Sequence, residues 1–243
     1  MLILHQRKLA QQPVLLATLL LMLLFWQGLL GKWTVTLRLH PLVVMSHLLG
    51  GFALLSVLWL LLLRLKPFHI PACTSQEEKL RPWAILGLLF IILQISLGGW
   101  TSANYAAFVC TDFPMCQGQW WPPMNFSAGF HLSFNAEQNY EGGVLSTTAR
   151  TAIQMSHRLG ALITTSYLAC LIYKLFGTRQ GSLLRRIGLI LLLLLIIQIS
   201  LGALNVLWAL PLLIAMAHNA VAALLLLSLI TLNIYLTLDK GKI

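Results

Sequence analysis

The stretch Gln198-Ile199-Ser200-Leu201-Gly202, followed by Met216-Ala217-His218, decides the fold, because both of its parts recur. Gln27-Gly28-Leu29-Leu30-Gly31 precedes Met45-Ser46-His47, and Gln94-Ile95-Ser96-Leu97-Gly98 precedes Met155-Ser156-His157. The first element reads Q-x-x-L-G each time, and the second is a Met two residues before a His. Gln and His lie 20 residues apart in the first and last pairs (27 to 47, 198 to 218) and 63 apart in the middle pair (94 to 157), where a long polar insert intervenes. Recurrence at a fixed spacing marks a repeated supersecondary unit. The unit here is a helical hairpin: an outgoing helix with Gln near its outer end, then an incoming helix with His near its start.

The composition says where such hairpins live. Of 243 residues, 58% are hydrophobic and 9% charged, and the mean hydropathy is +0.84. Soluble domains carry about 25% charged residues, so an ordinary cytosolic enzyme, a disordered tail and a nucleic-acid-binding module are excluded. Apolar stretches at 14–31, 41–63, 82–102, 151–174, 187–207 and 212–236 are each close to the roughly 20 residues that span a bilayer core. Lipid offers no partner for open backbone, so each is expected to be helical. The first follows Arg7 and Lys8, like a signal peptide. Its apolar run exceeds the usual h-region of about 7–15 residues and no A-x-A site follows, so it reads as a retained span.

The formal net charge of +10 reports orientation rather than a partner. One side of the predicted topology holds 12 basic residues (Arg7, Lys8, Arg64, Lys66, Lys79, Arg81, Lys174, Arg179, Arg185, Arg186, Lys240, Lys242), and the other holds 4 (Lys32, Arg38, Arg150, Arg158). The positive-inside rule puts both termini in the cytoplasm and the loop 103–150 outside. That loop contains Cys110 and Cys116. An oxidising compartment permits a disulfide between them, and two unpaired thiols are the alternative. Cys73 falls in a cytoplasmic loop and Cys170 inside the fourth span, so both are expected to stay reduced.

His47, His157 and His218 each enter an incoming helix by about two turns, which at 1.5 Å per residue is roughly 10 Å below the outer surface. Ionisable groups inside spans are expensive and tend to mark function. One reading is a structural histidine hydrogen-bonded to a Gln of the repeat. The other is metal ligation, since two neutral imidazoles facing each other across a bundle can hold a haem iron from both sides. Gly50, Gly51, Gly98, Gly99, Gly160 and Gly202 remove bulk, either for close helix packing or to make room for a flat macrocycle. Arg158 follows His157 directly, and no acidic side chain lies in any span. Its partner is either a haem propionate or outer lipid phosphate. Trp120-Trp121-Pro122-Pro123 reads as an interfacial aromatic belt, or a cover over the site. The absence of acidic residues from the spans argues against a transporter with an acidic relay.

Four motifs taken together resemble the haem A synthase family: Leu93-Gln94-Ile95-Ser96-Leu97-Gly98-Gly99, Cys110-Thr111-Asp112-Phe113-Pro114-Met115-Cys116, Asn139-Tyr140-Glu141-Gly142-Gly143 and His157-Arg158-Leu159-Gly160. The likeness is to its long-outer-loop branch, of mitochondrial and proteobacterial type. The resemblance implies eight transmembrane helices in two pseudo-symmetric four-helix bundles, and oxidation of a ring methyl of haem O to the formyl of haem A by successive hydroxylations. It implies a haem b held by His157 and His218 in the C-terminal bundle. It also implies that His47 is one ligand of the substrate haem, and that Cys110 and Cys116 form the cysteine pair of the outer loop. The family's first hairpin, with its His, its glutamate and its own cysteine pair, has no counterpart here, so the family's catalytic glutamate is not among these residues.

The expected fold is therefore all-α: three hairpins, six spans, one complete four-helix bundle plus half of a second. The expected organisation is a partial N-terminal bundle (1–66), a cytoplasmic linker (67–81) and a haem-binding bundle (82–243) with the outer loop 103–150. The expected location is a bacterial inner membrane. The expected function is a haem A synthase-like oxidoreductase serving cytochrome oxidase biogenesis. A non-catalytic haem-binding or assembly protein stays open as an alternative, as does a quinol-linked cytochrome b of another family. Expected partners are haem O synthase or another haem O supply, an electron donor that the residues do not identify, and membrane lipid. A homo-oligomer, or a second chain supplying the missing hairpin, is also expected. Nucleic acid is not.

Overall fold

A computed structural model describes residues 14–65, 75–132, 135, 137–178 and 182–237. Six helices in it are long and apolar enough to cross a membrane. They are α1 (Val14–Thr36), α2 (Pro41–Leu65), α3 (Arg81–Ala103), α4 (Thr147–Phe176), α5 (Leu183–Leu207) and α6 (Leu212–Tyr235). Among the described residues there is no named strand, so the all-α membrane fold expected from the hydropathy is what the chain forms. Of the expected linker 67–81, residues 67–74 lie outside the described residues, as do both extreme termini, and the remainder holds the helical turn Ser75–Glu78 and the start of α3; Cys73 is among the residues outside.

Several helices run past their apolar cores. α4 begins at Thr147, because the Ser146 side chain accepts from the Ala149 N–H and caps the first turn. α5 begins at Leu183 under an equivalent cap, Ser182 accepting from Arg185 N–H. Such caps satisfy the orphan amides at helix starts, so polar residues extend each helix beyond the lipid-matched segment. α1 continues through Lys32 to Thr36 and stops where Arg38 (φ 49) and Leu39 (φ 60) turn left-handed. The segment 103–150, expected on the outer side, is likewise not irregular throughout. It contains the 3-10 turn Ala106–Val109 and a helical turn at Phe126–Gly129, and its last residues belong to α4.

α3, α4, α5 and α6 close a ring: α3 packs on α4 and α6, and α5 packs on α4 and α6. α4 and α6 therefore face each other across a diagonal. One half of this bundle is filled by aliphatic side chains, including the fully buried Leu168, Leu171, Leu175, Leu191, Leu225 and Leu229. At that end Lys174 lies over the Trp83 ring at 4.3 Å and Trp83 stacks on Tyr167 at 5.8 Å. The histidines and glutamines of the repeat occupy the other half, toward the loop 103–150. α1 packs on α2, and α2 packs on α3 and α6. The first hairpin is thus attached to the bundle through one helix, with Trp59 Nε1 donating to Thr231 Oγ1 at 2.9 Å.

The repeat extends beyond the motifs that revealed it. Positions 27 and 198, 31 and 202, and 47 and 218 are all 171 apart. So are Arg38 and Ala209 (φ 49 and 53) and Leu39 and Leu210 (φ 60 and 59), the two left-handed pairs that turn α1 into α2 and α5 into α6. In each turn the second of these residues donates its N–H to a carbonyl five residues earlier: Leu39 to Thr34 at 2.8 Å, and Leu210 to Asn205 at 2.8 Å.

Candidate functional site

Each histidine of the repeat rests against the terminal glycine of the Q-x-x-L-G element on its hairpin partner. A Cβ on Gly98 would stand 3.1 Å from His157 Cε1, and one on Gly202 would stand 3.1 Å from His218 Cε1. On Gly31 it would stand 3.4 Å from His47 Cε1. The glycine is therefore a notch for an imidazole edge. The glutamine completes the contact. Gln94 Nε2 donates to the His157 carbonyl at 3.0 Å and meets His157 Nδ1 at 3.0 Å. Gln198 Nε2 meets His218 Nε2 at 3.2 Å. Gln94 reaches across because Gly160, three residues after His157, leaves space: a Cβ there would fall 2.5 Å from Gln94 Oε1. Gly50 has the same offset from His47, and Gln27 fills its space.

The two explanations for the glycines, packing and a made space, divide between neighbouring positions. Gly98 faces His157, whereas Gly99 faces Met45 and Leu48 of α2, with a Cβ there 2.9 Å from Leu48 Cδ2. Two consecutive glycines thus serve two interfaces. Gly28 and Gly51 face nothing within 4 Å.

His157 on α4 and His218 on α6 stand on diagonal helices of the ring. His47, on α2, lies outside that ring, so two of the three histidines belong to one bundle and the third to the adjoining hairpin. His47 Nδ1 and His218 Nδ1 are buried without a hydrogen-bond partner, as are Gln27 Nε2, Gln94 Oε1 and Gln198 Oε1. Buried polar atoms left unpaired are costly, and these five belong to the histidine and glutamine side chains of the repeat. Among the described residues no three His, Cys, Asp or Glu side chains converge on one point. The arrangement offers single imidazole nitrogens from opposite helices, which suits a cofactor that brings its own in-plane ligands.

Cys110 and Cys116 are joined in a disulfide, the first of the two states that the spacing left open. Both are buried against Met155, two residues before His157. Cys170 is a free thiol, exposed on α4. Inside the disulfide loop Asp112 accepts from the Gln117 N–H at 2.7 Å and the Gly118 N–H at 2.8 Å. These contacts, Gly118 foremost, hold its carboxyl below the ordinary carboxylate range. Trp120 and Trp121 project outward, 71% and 65% exposed.

Arg158 has a partner that neither sequence reading named. Its guanidinium donates to three loop carbonyls: Met115 at 2.7 Å, Asp112 at 3.0 Å and Pro114 at 3.2 Å. The residue after His157 thereby buttons the disulfide loop onto the turn that carries the imidazole. The sequence held one signal of this, the C-x5-C loop and the H-R pair in the same outer layer, but carbonyl acceptors leave no trace in side-chain identity.

The family model for COX15-CtaA, described as cytochrome oxidase assembly protein, matches residues 1–230. The chain belongs to this family. A protein named Heme A synthase from Shewanella oneidensis is 47% identical over 224 residues, covering 92% of this chain and 67% of that relative. Proteins of the same name from Neorickettsia sennetsu and Caulobacter vibrioides are 28% and 26% identical, each over 82% of this chain. The chain spans 57% and 56% of the length of those two relatives. Membership in the COX15-CtaA family accords with the resemblance carried by the loop and histidine motifs, and the matched residues include every candidate site residue from His47 to His218.

Proposed function

We propose that this chain carries the haem-binding machinery of a haem A synthase-type membrane oxidoreductase. Its reaction is the oxidation of the ring methyl of haem O to the formyl of haem A, by successive hydroxylations, for cytochrome oxidase. The observation that carries the reading is that His157 and His218 stand on diagonal helices of one bundle, each seated on a glycine notch, in a chain whose relatives are named for that activity.

His157 and His218 would hold a haem b there, and such a group would supply a one-electron relay. The chain's own residues do the rest. His157 and His218 each present a neutral imidazole nitrogen. Gln94 fixes the ring of His157 from the side, the kind of outer contact that orients metal-bound histidine. The leucine-filled half of the bundle closes the site from below, and Arg158 with the disulfide loop closes it from above. His47 stands on the adjoining hairpin as the residue for the substrate haem O. Gly98 faces His157 and Gly99 faces Leu48, the neighbour of His47, which supports a reading in which the two proposed sites flank α3.

Both termini are assigned to the cytoplasm and the outer loop to the far side of a bacterial inner membrane. Haem O synthase, or another haem O source, and an electron donor complete the system. A homo-oligomer, or a second chain that contributes a further hairpin, is part of the same proposal.

One observation favours a second reading. No Asp or Glu lies in any of the six helices, so these spans contain no carboxylate base. On that reading the chain binds haem and assists assembly without oxidising it. Two measurements separate the alternatives. Purified protein should show a b-type Soret band that is lost in His157→Ala and in His218→Ala, and a spectrum indifferent to both changes removes the ligand assignment. Co-expression with haem O synthase, followed by pigment extraction, then distinguishes catalysis from binding by whether haem A accumulates.

A further inference from the structure

We infer that segment 137–143 is a strap that holds the His47 hairpin in register with the four-helix bundle, with Tyr140 as its positioning residue. The motif Asn139-Tyr140-Glu141-Gly142-Gly143 has no part in the histidine sites. Its contacts lie at the turn between α1 and α2. The Tyr140 N–H donates to the Arg38 carbonyl at 3.1 Å. Arg38 Nη1 donates to the Glu137 carbonyl at 2.8 Å. The Tyr140 ring meets the His40 ring edge-on, with centroids 4.7 Å apart. Tyr140 is 5% exposed and His40 1%.

The other end of the strap is rooted on the bundle. Gly142 (φ 77) and Gly143 (φ 85) make the bend, and the Gly143 N–H donates to the Tyr140 carbonyl at 3.0 Å. A Cβ on Gly143 would stand 3.1 Å from the Asn104 carbonyl and from Tyr105 Cβ, at the outer end of α3. The strap therefore joins the end of α3 to a turn on a different hairpin.

The molecule contains its own control. The α5–α6 turn repeats the left-handed pair of the α1–α2 turn at Ala209 and Leu210, yet it stays open, with Leu207 55% and Trp208 61% exposed. That hairpin has both helices in the ring, α5 on α4 and α6 on α3. The first hairpin touches the ring through α2 and so has a single face to resist sliding or tilting. A non-glycine residue in the left-handed region costs of order 1 kcal/mol and persists where its surroundings over-determine it. Both turns hold that conformation through their own back hydrogen bond, Leu39 N–H to Thr34 and Leu210 N–H to Asn205, so the added contacts at Arg38 fix where the first hairpin sits and not the shape of its turn. The consequence falls on His47, which lies two turns below His40 on α2 and beside the Leu48–Gly99 contact.

This inference rests on the proposed role of His47, but its first test does not. Spin labels at Val35→Cys, on the outer end of α1, and Leu213→Cys, on α6, use sites that are 76% and 78% exposed. With Cys73 and Cys170 changed to Ser, the full chain should give a narrow distance distribution. Tyr140→Ala should broaden it and shift it to longer distance. Tyr140→Phe should restore it, because the hydroxyl makes only a 3.4 Å contact to the Asn135 carbonyl. Arg38→Ala, a change at an exposed side chain, should give an intermediate broadening if Tyr140→Ala fails to accumulate. In the haem-loaded protein Tyr140→Ala should raise KM for haem O while the Soret band of the His157/His218 site stays. An unchanged distance distribution in Tyr140→Ala, or in Arg38→Ala where the first is not obtained, overturns the strap. Loss of the Soret band in Tyr140→Ala also overturns it, since the strap would then support the bundle and not the hairpin. A normal strap response with no dependence of haem O binding on His47 instead refutes the proposed role of His47.

Discussion

The Cε1 edge of His157 lies where a side chain on Gly98 would begin, 3.1 Å from the position of its absent Cβ. His218 stands in the same relation to Gly202. The imidazoles are thus seated in grooves cut by the repeat itself, and the depth of each groove is set by one missing methyl group.

Substitutions at these glycines should separate by what they face. Gly98→Val and Gly202→Val put branched bulk against an imidazole and should destabilise the bundle by about 1–3 kcal/mol, with loss of bound haem. Gly51→Ala has nothing within 4 Å of its new methyl and should stabilise the helix by up to about 1 kcal/mol. Thermal unfolding in detergent and Soret absorbance measure both. Equal behaviour of the three variants would mean that the notches have no role.

Gln94→Leu keeps the bulk but leaves His157 Nδ1 without its neighbour. Leaving one buried polar atom unpaired costs about 1–3 kcal/mol. The expected signature is a lowered midpoint temperature together with altered electron paramagnetic resonance g-values of the haem. Gln94→Glu should recover part of the orientation. Identical g-values in wild type and Gln94→Leu would show that the carboxamide does not orient the ring.

Arg158→Gln removes most of a three-carbonyl clasp on the disulfide loop. Hydrogen bonds from a charged donor contribute about 1.5–3 kcal/mol, reduced here because the side chain is part-exposed. The loop should open more often, and Cys110–Cys116 should be reduced faster by a phosphine. Timed thiol labelling reads this directly. A reduction rate equal to that of the native chain would leave Arg158 free for the lipid or propionate contact considered from the sequence.

The pH response of the same loop follows from Asp112. Its carboxyl is held below its ordinary value chiefly by the Gly118 N–H, with Gln117 and the nearby Arg158 charge adding to the effect. A lowered folded value means that the ionised form is the one the fold stabilises. The contribution is therefore complete above the unfolded value of about 3.9 and is lost as pH falls through the folded one. Asp112 is part-exposed, so solvent screening keeps the effect small. Exchange at the Gln117 and Gly118 amides, corrected for intrinsic rates, should be flat from about pH 5 to 8 and rise below about 4. Asp112→Asn should abolish that rise. A transition near neutral pH would point to another group.

Much of this architecture is visible in the one-dimensional chain. Gln27, Gln94 and Gln198 with His47, His157 and His218 mark three hairpins, and hydropathy alone locates six spans, because lipid demands an uninterrupted helix of a set length. The Cys110–Cys116 pair was legible as permitted, not as formed. The glycines were legible as small, not as facing anything: nothing local tells Gly98, which seats His157, from Gly99, which seats Leu48. Arg158 was legible as a buried cation in want of a partner, and the partner proved to be backbone.

The sequence by itself determined the spans, the hairpin repeat and the level at which the histidines sit, because those depend on length and order along a helix. Only the tertiary structure decided which face of each helix turns inward, how α3–α6 close into a ring with His157 and His218 on its diagonal, and that Tyr140 reaches the Arg38 turn. The reason is physical. These helices are apolar on every side, since lipid and protein core make the same demand, so no amphipathic stripe announces the buried face. Rotation about each axis is then set by notches, carbonyl clasps and ring contacts, and these exist only once the helices have met.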